Sequence, residues 1–355
     1  MASIILILSI LLIIVSGLPF IQNQHWVFRV SEFTKLQVVI LQLPIFFAAF
    51  FYIENITTLW IIQSTQLVLM IYHIYILFRY TKFWKSTKTV PTENNSETIK
   101  IIACNIYQFN TEYNRFIDLI RTEKPAAFLT MESDSNWEKA LRVLEDDYPN
   151  CEKVTIDNTY GMHFYTKLKI ISIKTHYFVA DDLPSIEAEL ETKDGFRFVF
   201  FGVHPPPPSP TEEENSKERD GDLLSIAKKV ADYKLPVFVT GDFNNVAWAK
   251  SSILFRKTSK LIDARIGRGI LATFHAKYWF FRVPLDLVFH SPAIFIDQLH
   301  IYPSVGSDHF PVGCIFFINN ENNKQESRVD TLETHELEEV TEIIEEGIEQ
   351  ESDTR

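Results

Sequence analysis

The chain has 355 residues, a formal net charge of −12 and 46% hydrophobic side chains. That length holds one full α/β domain with segments to spare, and the acidic balance excludes the long basic footprint used to wrap duplex nucleic acid, leaving room only for a local basic cleft. Three widely spaced cysteines, Cys104, Cys151 and Cys314, indicate neither a disulfide framework nor a zinc motif; Cys104 and Cys314 sit in apolar runs and read as buried, inert thiols.

Three apolar stretches open the chain, Ser3 to Phe20, Leu36 to Ile53 and Thr57 to Phe78, none with an internal charge. Each is long enough to cross a hydrocarbon core of ~30 Å. The first lacks the basic start of a secretory signal and two more follow closely, so residues 1–80 are expected to form three transmembrane helices. The first loop carries Arg29 and Lys35, and the segment after the third span carries Arg79, Lys82, Lys85 and Lys88. With three spans these basic segments share one side, and the positive-inside rule places them, with everything that follows, in the cytoplasm. Trp26, Phe28, Phe83 and Trp84 suit a headgroup-level aromatic belt. Residues 81–97 form a basic juxtamembrane segment that runs into a polar linker over 86–97.

From residue 98, strand-like and helix-like runs alternate. Strands are predicted at Thr98–Ile106, Ala126–Met131, Gly161–Thr166, Lys169–Phe178, Ser185–Leu190, Arg197–Val203, Val237–Thr240, Leu285–His290 and Val312–Ile318. Helices are predicted at Tyr113–Thr122, Trp137–Leu144, Asn215–Tyr233 and near Ala249–Phe255. The alternation indicates a layered α/β domain over residues 98–318. From Glu321 to Arg355 there are 13 acidic and 3 basic side chains. Leu337, Val340, Ile344 and Ile348 keep helical spacing there, but the composition of residues 319–355 favours a disordered tail over a short amphipathic helix.

Polar residues recur where apolar runs end: Asn105, Glu132, His204, the string Gly241-Asp242-Phe243-Asn244, Asp286, and the string Ser307-Asp308-His309-Phe310-Pro311. If these strands share a sheet, their ends meet on one rim rich in carboxylate and amide oxygens, donors suited to Mg²⁺ or Mn²⁺. The succession resembles the endonuclease/exonuclease/phosphatase family over essentially the whole of 98–318, and three spans ahead of it resemble a membrane-anchored bacterial branch, in which the catalytic domain is expected outside rather than in the cytoplasm. The resemblance implies a four-layer sandwich of two mixed sheets flanked by helices, and a metal-dependent phosphoesterase. By position it implies that Asn105, Glu132 and Asp308 lie at the metal and that Asp242 activates the attacking water. It further implies that Asn244 holds that water or a phosphate oxygen, that His204 binds phosphate, and that Asp286 pairs with His309. Thr166 stands where the family has a serine, and Leu287 where it often has histidine. Each residue also has a structural alternative: Glu132 as a cap for the helix near Ser135, His204 as the start of the stiff Pro205–Pro208 turn.

The expected substrate is a phosphomonoester, diphosphate or phosphodiester. Tyr278-Trp279-Phe280-Phe281 reads either as the entrance to a core strand or, beside a tethered site, as a segment dipping into lipid, which adds lipid-linked phosphates to the candidates. Neither a basic stripe nor a stacking ladder supports a nuclease of the same chemistry. A non-catalytic membrane scaffold binding partners through the acidic tail is the alternative of another class.

Overall fold

A computed structural model describes residues 1–21, 23–84, 97–319 and 323–350. Nearly all of the expected 86–97 linker, with Lys85 and Lys88, lies outside the described residues, as do residues 351–355 of the tail. Four helices open the chain: α1 (Ala2–Gly17), α2 (Trp26–Phe33), α3 (Lys35–Tyr52) and α4 (Ile56–Phe78). Three segments, Ala2–Phe20, Lys35–Tyr52 and Ile56–Phe78, are long and apolar enough to cross a membrane. The Asn55 side chain starts α4 by accepting the Thr58 N–H at 2.9 Å, an N-cap that satisfies one of the helix's free donors.

The domain that follows is built by period-two alternation, which sends successive strand side chains to opposite faces. The first sheet holds β1 (Ile99–Asn105), β2 (Ala127–Met131), β3 (Asn150–Val154), β4 (Met162–Thr166), β11 (Ile294–Ile301) and β12 (Val312–Ile318), in the order β11-β12-β1-β2-β4-β3. The second holds β5 (Lys169–Tyr177), β6 (Pro184–Glu191), β7 (Arg197–Val203), β8 (Val237–Asp242), β9 (Ile262–Asp263) and β10 (Asp286–His290), in the order β5-β6-β7-β8-β10-β9. In β1, Ile99, Ile101 and Ala103 enter the core between the sheets, together with Phe198 and Phe200 of β7. Their neighbours face outward. Ile102 and Cys104 pack beneath α5 (Tyr113–Glu123) and α6 (Ser135–Leu141). Val199, Phe201 and Val203 pack beneath α7 (Lys217–Ala231) and α8 (Lys250–Ser259). The outcome is the four-layer sandwich of two mixed sheets flanked by helices.

Each sheet has one parallel pair, β1 with β2 and β7 with β8, closed by a helical crossover through α5 and α7 respectively. Polar groups beyond the carboxyl ends of parallel strands are the usual place for a ligand site in such folds.

Two segments depart from expectation, and a third makes contacts that the sequence does not announce. The tail is not wholly disordered: α9 (Thr334–Glu349) packs on α7, with Val340 buried and Gly347 against Gly221. Its apolar spacing outweighs its charge because the acidic side chains occupy the outer face and reach lysines of the domain, as in Lys257 to Glu336 at 2.6 Å. The four aromatics do not enter a core strand. Trp279–Phe281 forms a short 3₁₀ turn on which Trp279 is 78% and Phe280 61% exposed. Finally, the belt residues Trp26 and Phe28 belong to α2, a helix docked on the domain. The Trp26 N–H donates to Glu214 O at 3.0 Å, the Ser216 N–H to Gln24 O at 2.8 Å, and Trp248 Nε1 to Glu32 O at 2.7 Å. Leu77, in the last turn of α4, and Tyr80, just past it, join the same core as Val246 and Trp248.

Candidate active site

Glu132 follows β2 at φ 60°, a left-handed turn that swings its side chain into the cleft. The structural alternative for it is removed by Asp134, which caps α6 by accepting the Asn136 and Trp137 N–H groups. Glu132 is instead gripped from the site side: Asn105 Nδ2 donates to Oε1 at 2.8 Å and the Gln108 N–H donates to Oε2 at 3.1 Å. Asn105 Nδ2 also donates to Asp242 Oδ2 at 3.1 Å, so this one amide joins the end of the first sheet to the end of the second.

Gly241 shows why the second sheet ends as it does. Its φ is 152°, and a Cβ there would lie 2.0 Å from the Val203 carbonyl oxygen. Only glycine lets β8 press against the end of β7, which brings His204 Nε2 to 3.9 Å from Asp242 Oδ2. Asp242 and Asp286 are direct cross-strand partners in β8 and β10. Two facing carboxylates repel, and His309 reconciles them. Its Nδ1 lies 2.8 Å from Asp286 Oδ2 and its Nε2 3.4 Å from Asp242 Oδ2. Burial lowers the affinity of His309 for a proton, but Asp286 and Asp242 outweigh it and push the imidazole up to about 10. The ring is therefore charged at neutral pH. His204, also buried but less closely paired, is lowered to about 4 and is neutral. Ser307 fixes the final loop by donating from Oγ to the Asn105 carbonyl at 2.7 Å and accepting the His309 N–H at 3.0 Å.

Of the eight residues singled out in the sequence, seven line one cavity of about 570 Å³: Asn105, Glu132, His204, Asp242, Asn244, Asp308 and His309. Asp286 stands behind His309 as its partner. Asn244 adopts φ 46° and is held by its N–H on Asp242 Oδ1 and its amide on the Pro205 carbonyl, both 2.9 Å. Thr166 lies elsewhere, at the far end of β4, where its hydroxyl closes a turn between Ala126 and Leu168.

Sequence reasoning missed several contributors. Gln108 acts through its backbone and so leaves no trace in residue type. Arg219 sits in a run that reads as a solvated helix, yet it is buried, pairs with Asp220 at 2.8 Å and donates to the Asn244 carbonyl at 3.0 Å. Trp26, Val30 and Phe33 of α2 form part of the cavity wall, and their i, i+4, i+7 spacing was the available signal.

Among the described residues no group of three or more His, Cys, Asp or Glu side chains forms a ready cage for a metal ion. The donor set nonetheless fits a hard divalent cation, which keeps most of its waters and takes one or two protein carboxylates. Among the described residues, Glu132, Glu212, Asp242 and Asp308 line the cavity without any lysine or arginine. Burial, the leading cause, pushes Glu132 up to about 7 despite the hydrogen bonds from Asn105 and Gln108. A carboxylate held this dry, with only the charge that His309 already shares with Asp286 and Asp242 nearby, is what such a cation would balance.

Two mixed sheets flanked by helices, with polar residues gathered on one rim, define a four-layer class of α/β proteins. Residues 102–309, more than half the chain, match the model described as Endonuclease/Exonuclease/phosphatase family, and the chain belongs to that family. A search of curated proteins returns no match. Among solved structures the chain is similar to D. rerio TDP2 complexed with a single-strand DNA product, with 16% identity, 62% of this chain and 99% of that chain covered, and a TM-score of 0.54. The human Nocturnin catalytic domain with bound sulfate gives 17% identity, coverage of 62% and 95%, and a TM-score of 0.52. A family protein from Bacteroides vulgatus gives 19%, coverage of 63% and 100%, and 0.51. At these identities the likeness is one of fold.

Proposed function

We propose that the protein is a membrane-anchored, Mg²⁺- or Mn²⁺-dependent phosphoesterase that hydrolyses a phosphomonoester, diphosphate or phosphodiester by in-line attack of water. The observation that carries this reading is the continuous polar chain Asp286–His309–Asp242–Asn105–Glu132, which crosses from one sheet to the other through contacts of 2.8, 3.4, 3.1 and 2.8 Å.

Glu132, Asn105 and Asp308 would hold the cation, which neutralises charge on the non-bridging phosphoryl oxygens when bound. Asp242, hydrogen-bonded by Asn105 and the Asn244 N–H, is the carboxylate best placed to orient the attacking water and take its proton. The charged His309 and the neutral N–H of His204 serve as donors to the charge that spreads over the phosphoryl group. Three apolar helices hold this site at a bilayer, and the docking of α2 supports one common side for the first loop and the catalytic domain. Loop charge favours the cytoplasmic side.

The test is hydrolysis of para-nitrophenyl phosphate mono- and diesters by the full chain with Mg²⁺ or with EDTA. Asp242→Asn is expected to lower the Mg²⁺-dependent rate by about a hundredfold or more with the fold intact. Full activity in that variant would remove the role given to Asp242.

A further inference from the structure

The polar floor of the cavity has an apolar wall, and part of that wall comes from the helix between the first two spans. Trp26, Val30 and Phe33 lie on one face of α2 and border the same cavity as His204, Asp242 and His309. Phe281, Val283 and Leu285 line the same cavity. Two features tie this wall to the membrane-length helices. Phe33 is two residues from Lys35, where the second apolar helix begins. Gln37, on that helix, donates from Nε2 to the Arg282 carbonyl at 3.0 Å, tying the exposed aromatic turn Trp279–Phe281 to it. Val30 itself is 41% exposed, an apolar surface on a helix that joins two membrane-length segments.

The charges of the cavity choose between occupants. A nucleic-acid strand needs cations for its backbone, and among the described residues the lining offers no lysine or arginine. A single phosphoryl group at the polar floor, continued by a hydrocarbon chain along the wall, matches both halves of the cavity. We infer that α2 is a specificity element of the active site and seats the hydrocarbon of an amphiphilic phosphoester drawn from the bilayer, with Trp26, Val30 and Phe33 as its contact residues. This rests on the phosphoesterase function proposed above and on the three helices crossing the membrane.

The experiment uses the full chain in nanodiscs with Mg²⁺ and compares hexadecyl with ethyl para-nitrophenyl phosphate, alongside a single-stranded oligonucleotide. The hexadecyl ester is expected to be preferred in kcat/KM, and Val30→Asn and Phe33→Ala to lower the hexadecyl-to-ethyl ratio about tenfold. A thermal melt of each variant separates loss of fold from loss of preference. Should the two esters be cleaved equally, the ratio hold in both folded variants, or only the oligonucleotide be cleaved, the inference about α2 is overturned while the hydrolase function stands. Hydrolysis of none of the three, by wild type as by Asp242→Asn, overturns both together.

Discussion

Of the eight residues singled out in the sequence, two hold left-handed backbone conformations, Glu132 at φ 60° and Asn244 at φ 46°. Such conformations persist where the surroundings over-determine them, and here hydrogen bonds on both sides of each residue do so. Asn244→Gly keeps the backbone and loses the amide's hold on Pro205, whereas Asn244→Ala loses that hold and adds the left-handed cost. Denaturant unfolding is expected to find the alanine variant less stable than the glycine variant by about 1 kcal/mol. Glu132 permits a test of cation binding that does not depend on turnover. If the site holds Mg²⁺ as proposed, the ion at a hundredfold its dissociation constant is expected to stabilise the wild type by about 3 kcal/mol, a rise in Tm that Glu132→Gln is expected to abolish. The chemistry-bearing side chains were legible in the sequence because each follows an apolar run or sits in a short specific string. What escaped was anything acting through a backbone group, such as the Gln108 N–H, or through an unusual partner, such as Arg219 on the Asn244 carbonyl.

At the level of elements, strands with clean alternation or continuous apolar runs were visible, and those without were not. β3 reads Asn-Cys-Glu-Lys-Val and is half-buried throughout, so it has no period to detect. β11 slips register between Ile296 and Gln298, and the irregularity breaks its alternation. The helix α9 was hidden by composition: its acidic residues suggested solvation, while the contact that holds it rests on a pair of glycines. A Cβ on Gly347 would lie 2.8 Å from Gly221 Cα and 2.8 Å from the Lys217 carbonyl oxygen, both backbone atoms. Replacing a helical glycine by alanine ordinarily stabilises by about 1 kcal/mol. Here the sign reverses. Gly347→Ala is expected to destabilise by about 1–3 kcal/mol in urea unfolding, because two helix backbones must part.

Across the whole molecule, histidines buried away from the site set an acid limit. His163 and His290 are fully buried, and burial lowers them to about 4 and about 3. The unfolded chain binds their protons below about 6.5, while the folded chain does not until these lower values. Their contribution is therefore complete above the unfolded value and declines as pH falls toward 4. Between pH 6.5 and 5 each removes on the order of 2 kcal/mol. Thermal melts at pH 5 and pH 7 are expected to differ less for His163→Gln than for the wild type.

The domain is gripped at several points by the segments ahead of it: through α2, through Gln37 of α3 on the Arg282 carbonyl, and where Tyr80, just past α4, packs against Trp248 with ring centroids 5.3 Å apart. A body hung on a single flexible leash sweeps a hemisphere and meets its target in every attitude. One clamped at several points would, with the three helices in a bilayer, keep one height and one tilt, so the orientational search before each encounter would be settled when the chain folds.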